Sequence, residues 1–268
     1  MDLSWLDRWL EDVRHLNQGK VGEPYLYPRG LVLFLAVLRA KGFALRELEG
    51  CLRGLSRRLG GFPVMSYSQI SRRLNKLDLS FQSLEGSGCV AIDGSGMKVT
   101  NRGEWIRHKW SVKKGWVKVV VCGDSNGNVV DVSVGNESLD ERRVARDMIG
   151  KTQPKKVWLD GLHDTYKTYE TCKEQGTKAV IPARKNSTGK GLSYRAQCVR
   201  EQRKLRRRRW VAETEYGKRW PASEGIFSAV KRIFGETLHN KKTKNAHQEA
   251  RMKFWAYQQL QQAEPNTA

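Results

Sequence analysis

The chain has 268 residues, with 39% hydrophobic and 9% aromatic side chains including 9 Trp, enough to build a core and to exclude a disordered chain. Lys and Arg number 49 against 28 Asp and Glu, a formal charge of +21 and a pI near 10.0. So large a surplus points to a polyanionic partner, nucleic acid first and an anionic membrane surface second, rather than to a small metabolite. It is uneven along the sequence, net +4 over residues 1–88 and net +17 over 89–268.

The first region has helical period. Leu3, Trp5, Leu6, Trp9, Leu10 and Val13 form one amphipathic stripe, and the acidic residues among them, with no basic leader or small-residue cleavage site, are unlike a signal peptide. Leu31 to Leu38 reads as a buried helix; as the longest apolar run, at eight residues, it is far short of the roughly 20 that span a bilayer. Leu45, Leu48, Leu52, Leu55 and Leu59 form a further stripe ended by Gly60 and Gly61. Ser66 can then cap a helix presenting Gln69, Arg72, Arg73 and Lys76 outward. Helix, turn and basic helix suggest a helix-turn-helix in which Arg72 and Arg73 meet DNA, with a plain bundle bearing a solvated basic face as the alternative.

From residue 89 the period changes to two. Cys89–Thr100, Trp116–Cys122 and Val129–Val134 read as strands, the last two joined by the hairpin turn Asp124-Ser-Asn-Gly-Asn128. Next come a helix over Leu139–Ile149, a strand over Lys156–Asp160, a helix over Thr165–Gln175 and a strand over Lys178–Pro182. A polar connection then runs from Arg184 to about Tyr216, followed by the final helices. Three antiparallel strands before alternating helices and strands predict an α/β fold, a ribonuclease H-like mixed sheet flanked by helices and preceded by a helical N-terminal domain. The expected division is 1–88 and 89–268. The five cysteines are odd in number, widely spaced and without zinc-type pairing, and read as reduced, mostly buried thiols. With no membrane span, the chain is expected in the cytoplasm.

Three carboxylates stand where such a fold could gather them: Asp93 in the first strand, Asp160 at the end of the fourth, and Glu224 at the start of a late helix. Singly, each has a structural explanation, since Asp-Gly is common in turns and Glu favours the first turn of a helix. Together they are oxygen ligands suited to Mg²⁺ or Mn²⁺. Over Pro221–Phe234, Ile226, Phe227, Val230, Ile233 and Phe234 make the buried face, while Glu224, Ser228 and Lys231 share an edge. Arg200–Trp210 holds seven cations, Arg206, Arg207, Arg208 and Arg209 among them, an electrostatic footprint for DNA. Trp210 and Trp220 could stack on an unpaired base, whereas Trp105, Trp110 and Trp116 read as core or sheet-face residues. His163, near Asp160, reads as a supporting or structural residue.

Taken together these segments resemble the DDE transposases of bacterial and archaeal insertion sequences. The resemblance covers roughly residues 25–260. It rests on Ala91-Ile-Asp-Gly-Ser-Gly-Met-Lys98, Lys109-Trp-Ser-Val-Lys-Lys-Gly-Trp-Val-Lys118, Val157-Trp-Leu-Asp-Gly161 with Asp164-Thr-Tyr166, and a Tyr-Arg-Glu-Lys signature at Tyr216, Arg219, Glu224 and Lys231. The signature departs at one place: four residues, Trp220 to Ser223, separate Arg219 from Glu224 instead of three. The resemblance implies two Mg²⁺ ions, Mn²⁺ substituting, held by Asp93, Asp160 and Glu224. It further implies two-metal phosphoryl transfer, in which transposon ends are cut and the freed 3′ hydroxyl attacks target DNA. Lys231, Arg219 and Tyr216 would hold phosphates near the cut. The implied partners are double-stranded DNA, as terminal inverted repeats and target, and a second copy of the chain, as a homodimer on nucleoid DNA. A DNA-binding protein that has lost catalysis, and a ribonuclease H-class nuclease that does not join strands, are the competing readings.

Overall fold

The computed structural model describes residues 5–58, 62–81, 88–99 and 115–262. Leu3, Leu59, Gly60, Gly61, Thr100, Trp105, and Lys109 to Lys114 with Trp110 lie outside them. The chain forms two compact units: residues 1–80 with 233–235 and 239–268, and residues 81–232 with 236–238. One boundary between the units falls near residue 80, and the last helix groups with the N-terminal helices.

The first unit is helical: α1 (Trp9–Asn17), α2 (Arg29–Ala40), α3 (Leu45–Arg58), α4 (Tyr67–Lys76) and, from the far end of the chain, α9 (Thr243–Gln262). Leu31, Val32, Leu35 and Ala36 of α2 are buried, and α2 packs against α3, α4 and α9. Ser66 caps α4 as expected: its hydroxyl accepts from the Gln69 backbone and the Gln69 side chain accepts from the Ser66 N–H, a reciprocal capping box. Gln69 is therefore committed to the helix end. Arg72 is exposed, while Arg73 is half-buried over the Tyr27 ring at 5.0 Å.

The second unit is built on a six-stranded sheet ordered β3-β2-β1-β4-β5, with β6 also paired to β1. The strands are β1 (Cys89–Val99), β2 (Trp116–Asp124), β3 (Val129–Asn136), β4 (Lys156–Trp158), β5 (Lys178–Val180) and β6 (Thr237–Leu238). β1, β2 and β3 are antiparallel neighbours, whereas β4 and β6 run parallel to β1, and β5 parallel to β4. The β2–β3 turn forms as its sequence demands: Asp124 Oδ1 accepts from the N–H groups of Asn126 and Asn128, and Gly127 takes φ +84°.

Alternation divides the side chains between two faces. Val90, Ile92, Val120, Val157 and Leu159 meet α5 (Glu141–Thr152), α6 (Tyr166–Glu174) and the front of α7 (Tyr194–Thr214). Ala91, Trp158 and Val180 meet Trp210 and Ala222 on the opposite face. This is the expected mixed sheet with helices on both sides.

The polar stretch from Arg184 is a correction: most of it is α7, 21 residues long and broken at Arg206 (φ 56°, ψ 159°). Early in α7 Tyr194 and Cys198 face one side of the sheet, and Leu205, Trp210 and Val211, around and beyond the break, face the other. Its arginines are a helix surface rather than a loop, and Trp210 is 5% exposed against Tyr216, so it belongs to the core and not to a stacking surface. Of the cysteines, all free, only Cys122 and Cys172 are fully buried; Cys89 and Cys198 are half-buried and Cys51 is exposed. No helix among the described residues is long and apolar enough to cross a membrane.

Candidate active site

Strand register brings the first two acids together. Ala91 pairs with Trp158 at the end of the parallel β1–β4 ladder, and Asp93 and Asp160 each follow two residues later, near enough for the Asp160 charge to act on Asp93. β4 ends at Trp158 and β6 meets β1 at Lys98 and Val99, so among the described residues the β1 edge from Asp93 to Met97 has no strand partner on that side. Burial raises the Asp93 carboxyl above its ordinary range, opposed by Arg219 and assisted by the charges of Glu141 and Asp160. Asp160 caps the 3₁₀ turn Gly161–His163 by accepting from the Leu162 N–H at 2.9 Å.

Glu224 arrives on an irregular helix. Residues Trp220–Gly225 form a π-helical turn that leads into α8 (Ile226–Phe234). This turn accounts for the extra residue in the signature, because an i→i+5 turn accommodates one more residue than an α-helical one. Arg219 and Glu224, five apart, consequently meet: Arg219 Nη1 donates to Glu224 Oε1 at 2.9 Å, and Nη2 donates to Asp93 Oδ2 at 2.9 Å. One guanidinium bridges the first and third acids. The turn sits directly on the sheet because Gly123 of β2 has no side chain; a Cβ there would lie 2.1 Å from the Ala222 carbonyl oxygen.

The other signature residues lie around this centre. Lys231 Nζ donates to Ser95 Oγ at 3.0 Å, two residues along β1 from Asp93. Tyr216 donates its hydroxyl to the Leu159 carbonyl at 3.2 Å, next to Asp160, and packs on Trp210. Trp220 is 59% exposed beside Arg219. Arg206, Arg207, Arg208 and Arg209 are exposed on α7, with Arg209 paired to Glu213, whereas Arg72 and Arg73 belong to the first unit.

Two supporting clusters were only partly visible in the sequence, through His163 and Asp164. Behind the acids, Glu141 at the start of α5 accepts from Lys118 Nζ at 2.9 Å, with fully buried His163 Nε2 at 3.7 Å. His163 and Lys118, outweighing burial, hold the Glu141 carboxyl down to about 2. Gly94 makes room for it, since a Cβ there would lie 2.5 Å from Glu141 Oε2. The second cluster anchors the Asp160 loop: Asp164 accepts from Arg195 Nε at 2.6 Å, from the Arg184 N–H at 3.0 Å and from Ser187, and Arg184 donates to the carbonyls of Gly161 and Leu162. The Asp-Gly-x-x-Asp spacing was the one visible sign of it.

As the side chains stand, no three of the described Asp, Glu, His or Cys residues converge closely enough to hold a metal ion. The donor set nevertheless fits a hard divalent cation: Asp93, Asp160 and Glu224 offer oxygen ligands, and the gap between two of them already takes a cationic group, the Arg219 guanidinium.

Comparison with known proteins agrees with the motifs. A family profile described as "Transposase DDE domain" matches residues 85–258, and a second of the same description matches residues 1–102. No curated protein matches the chain. Among solved structures, a simian T-cell lymphotropic virus intasome in complex with PP2A regulatory subunit B56 gamma aligns at 10% identity and a TM-score of 0.27, covering 76% of this chain and 70% of that one, a likeness too slight to bear on function. On the strength of the match over residues 85–258, the chain belongs to the DDE transposase domain family.

Proposed function

We propose that the chain is a metal-dependent DNA transposase that cuts the ends of its own element and transfers the freed 3′ hydroxyl strand into target DNA. The observation that supports this reading is the Arg219 guanidinium linking Asp93 and Glu224, with the Asp160 charge near enough to act on Asp93. The three carboxylates would hold two Mg²⁺ ions, which when bound activate the attacking water or 3′ hydroxyl and stabilise the leaving oxygen.

The protein's own groups supply placement and charge. Lys231, resting on Ser95, offers an ammonium to a phosphate lying along the β1 edge. Tyr216 fixes the backbone that carries Asp160, so its part is to hold that carboxylate in register. Arg206 to Arg209 and Arg72 supply exposed positive charge for the DNA backbone, as does Arg73 in part, and affinity should fall steeply with salt. The element's two ends must be joined, so a homodimer on DNA is the working assembly.

The test is incubation of the purified protein with DNA carrying the sequences that flank its own gene, in Mg²⁺ or in EDTA, beside Asp160→Asn. Magnesium-dependent nicks at the element ends followed by joined products, both lost in the variant, are expected. Salt-sensitive binding without cutting would instead support a non-catalytic DNA-binding protein, and nicks without joining a ribonuclease H-class nuclease.

A further inference from the structure

We infer that Arg219 is an internal counter-cation that competes with the divalent metal for Asp93 and Glu224, so that metal loading depends on a DNA phosphate drawing the guanidinium away. The inference rests on the proposed metal role of those carboxylates. It adds that the protein without DNA holds its own site shut against metal.

Three observations point the same way. First, the guanidinium spans the acids: Nη2 lies 2.9 Å from Asp93 Oδ2 and Nη1 lies 2.9 Å from Glu224 Oε1, with 16% of the arginine side chain exposed. Charge-assisted bonds of this kind are among the strongest a side chain makes, and a metal cannot bind the same lone pairs while they persist. Second, Arg219 Nε is buried and has no acceptor among the described residues, so one donor of a charged group is left unsatisfied in this arrangement. A group that bridges two acids and still lacks an acceptor has a reason to accept a further anion. A phosphodiester, with two charged oxygens arranged for the fork of a guanidinium, is suited to that role. Third, Arg219 immediately precedes the π-helical turn. The π geometry of that turn keeps Arg219, five residues before Glu224, level with it, as an α-helical turn would a residue four before.

The consequence is linkage. Metal displaces Arg219 from the acids and frees it for phosphate, while phosphate holds Arg219 and frees the acids for metal. Each ligand therefore tightens the other by the same factor.

The test measures Mn²⁺ binding to the whole protein without DNA, by the electron paramagnetic resonance signal of the free ion. Arg219→Gln should bind Mn²⁺ about tenfold or more tightly than wild type, since it removes the competing charge but keeps a polar side chain. Arg219→Lys should fall between them, because an ammonium cannot bridge both acids as a fork does. Lys218→Gln, which removes a neighbouring cation paired instead with Glu215, should change affinity less than twofold. Equal or weaker Mn²⁺ binding by Arg219→Gln, with its unfolding transition intact, would overturn the inference; so would an equal effect of Lys218→Gln. If Arg219→Gln does not fold, Arg219→Lys carries the comparison alone. A second measurement uses a short duplex of the flanking sequence at constant ionic strength, its affinity read by fluorescence anisotropy in EDTA and in Mn²⁺. The gain on adding Mn²⁺ should be several-fold larger in wild type than in Arg219→Gln, and equal gains would refute the linkage. The double variant Arg219→Gln with Asp160→Asn separates the two claims. If its Mn²⁺ affinity equals that of Arg219→Gln alone, the metal does not sit on these carboxylates and the proposed function fails, whatever Arg219 does.

Discussion

The most exacting test of how the site is assembled is Gly123→Ala, a single methyl group that leaves every charge in place. A Cβ at that position would stand 2.1 Å from the Ala222 carbonyl oxygen and 2.4 Å from Ile226 Cδ1. Ordinary contact between such atoms needs more than about 3 Å, so the turn must lift by roughly 1 Å. The isoleucine can rotate, but the carbonyl is backbone and cannot. Overpacking of this kind costs about 1–3 kcal/mol, readable as a lower midpoint in urea denaturation. The turn carries Glu224 two residues beyond Ala222, and a misplacement of about 1 Å at a reacting centre costs on the order of a hundredfold in rate. Nicking of end-containing DNA under single-turnover conditions should therefore fall by about that factor while DNA affinity holds. Adding Ile226→Val should not restore the rate. Wild-type nicking by Gly123→Ala, or full rescue by Ile226→Val, would show that the close seating of the turn does not set the position of Glu224.

Three further outcomes follow from residues away from the acids. Asp164→Ala should cost about 3–5 kcal/mol by leaving Arg195 without its buried partner, measured by denaturant unfolding; an effect below 1 kcal/mol would mean the Asp160 loop is held by other contacts. Ser66→Ala should lose about 0.5–2 kcal/mol with its cap, and Ser66→Asp should retain most of it. Lys253 is buried, and burial lowers its ammonium from 10.5 to about 8. The folded protein then binds that proton less tightly than the unfolded chain, so this group adds stability as pH rises from about 8 to 10.5, by about 3 kcal/mol, and adds no slope below 8. Lys253→Met should lack that rise when unfolding is followed across the same pH range, and an identical slope would refute the assignment.

The parts of the molecule legible in the sequence are those where pattern and local chemistry agree. Alternating apolar residues and the Asp124–Asn128 turn give the β2–β3 hairpin, and Ser66 with Gln69 gives the start of α4. Asp93 and Asp160 can be paired in advance because each ends an apolar strand segment and parallel strands bring such ends together. α7 was hidden because nearly half of its residues are charged, so no apolar stripe marks its period, and because it breaks at Arg206. The spacing between Arg219 and Glu224 looked like a defect in a motif; the π turn absorbs it, and sequence period alone has no way to signal that. The Asp164, Arg184, Ser187 and Arg195 cluster and the Lys118–Glu141–His163 group depend on contacts across tens of residues, which no local pattern encodes.

The placement of α9 affects how the chain can mature. α2 buries its apolar side against α3, α4 and α9, and α9 follows α4 by about 160 residues, which at typical synthesis rates of 5–20 residues per second is roughly ten seconds or more. Until then the nascent N-terminal helices carry an uncovered greasy stripe, open to chaperones and to self-association. Within the same unit, Lys253 of α9 donates to the carbonyls of Phe234 and Gly235. A product that stops short of Thr243 thus lacks the helix that covers the apolar side of α2 in its first unit.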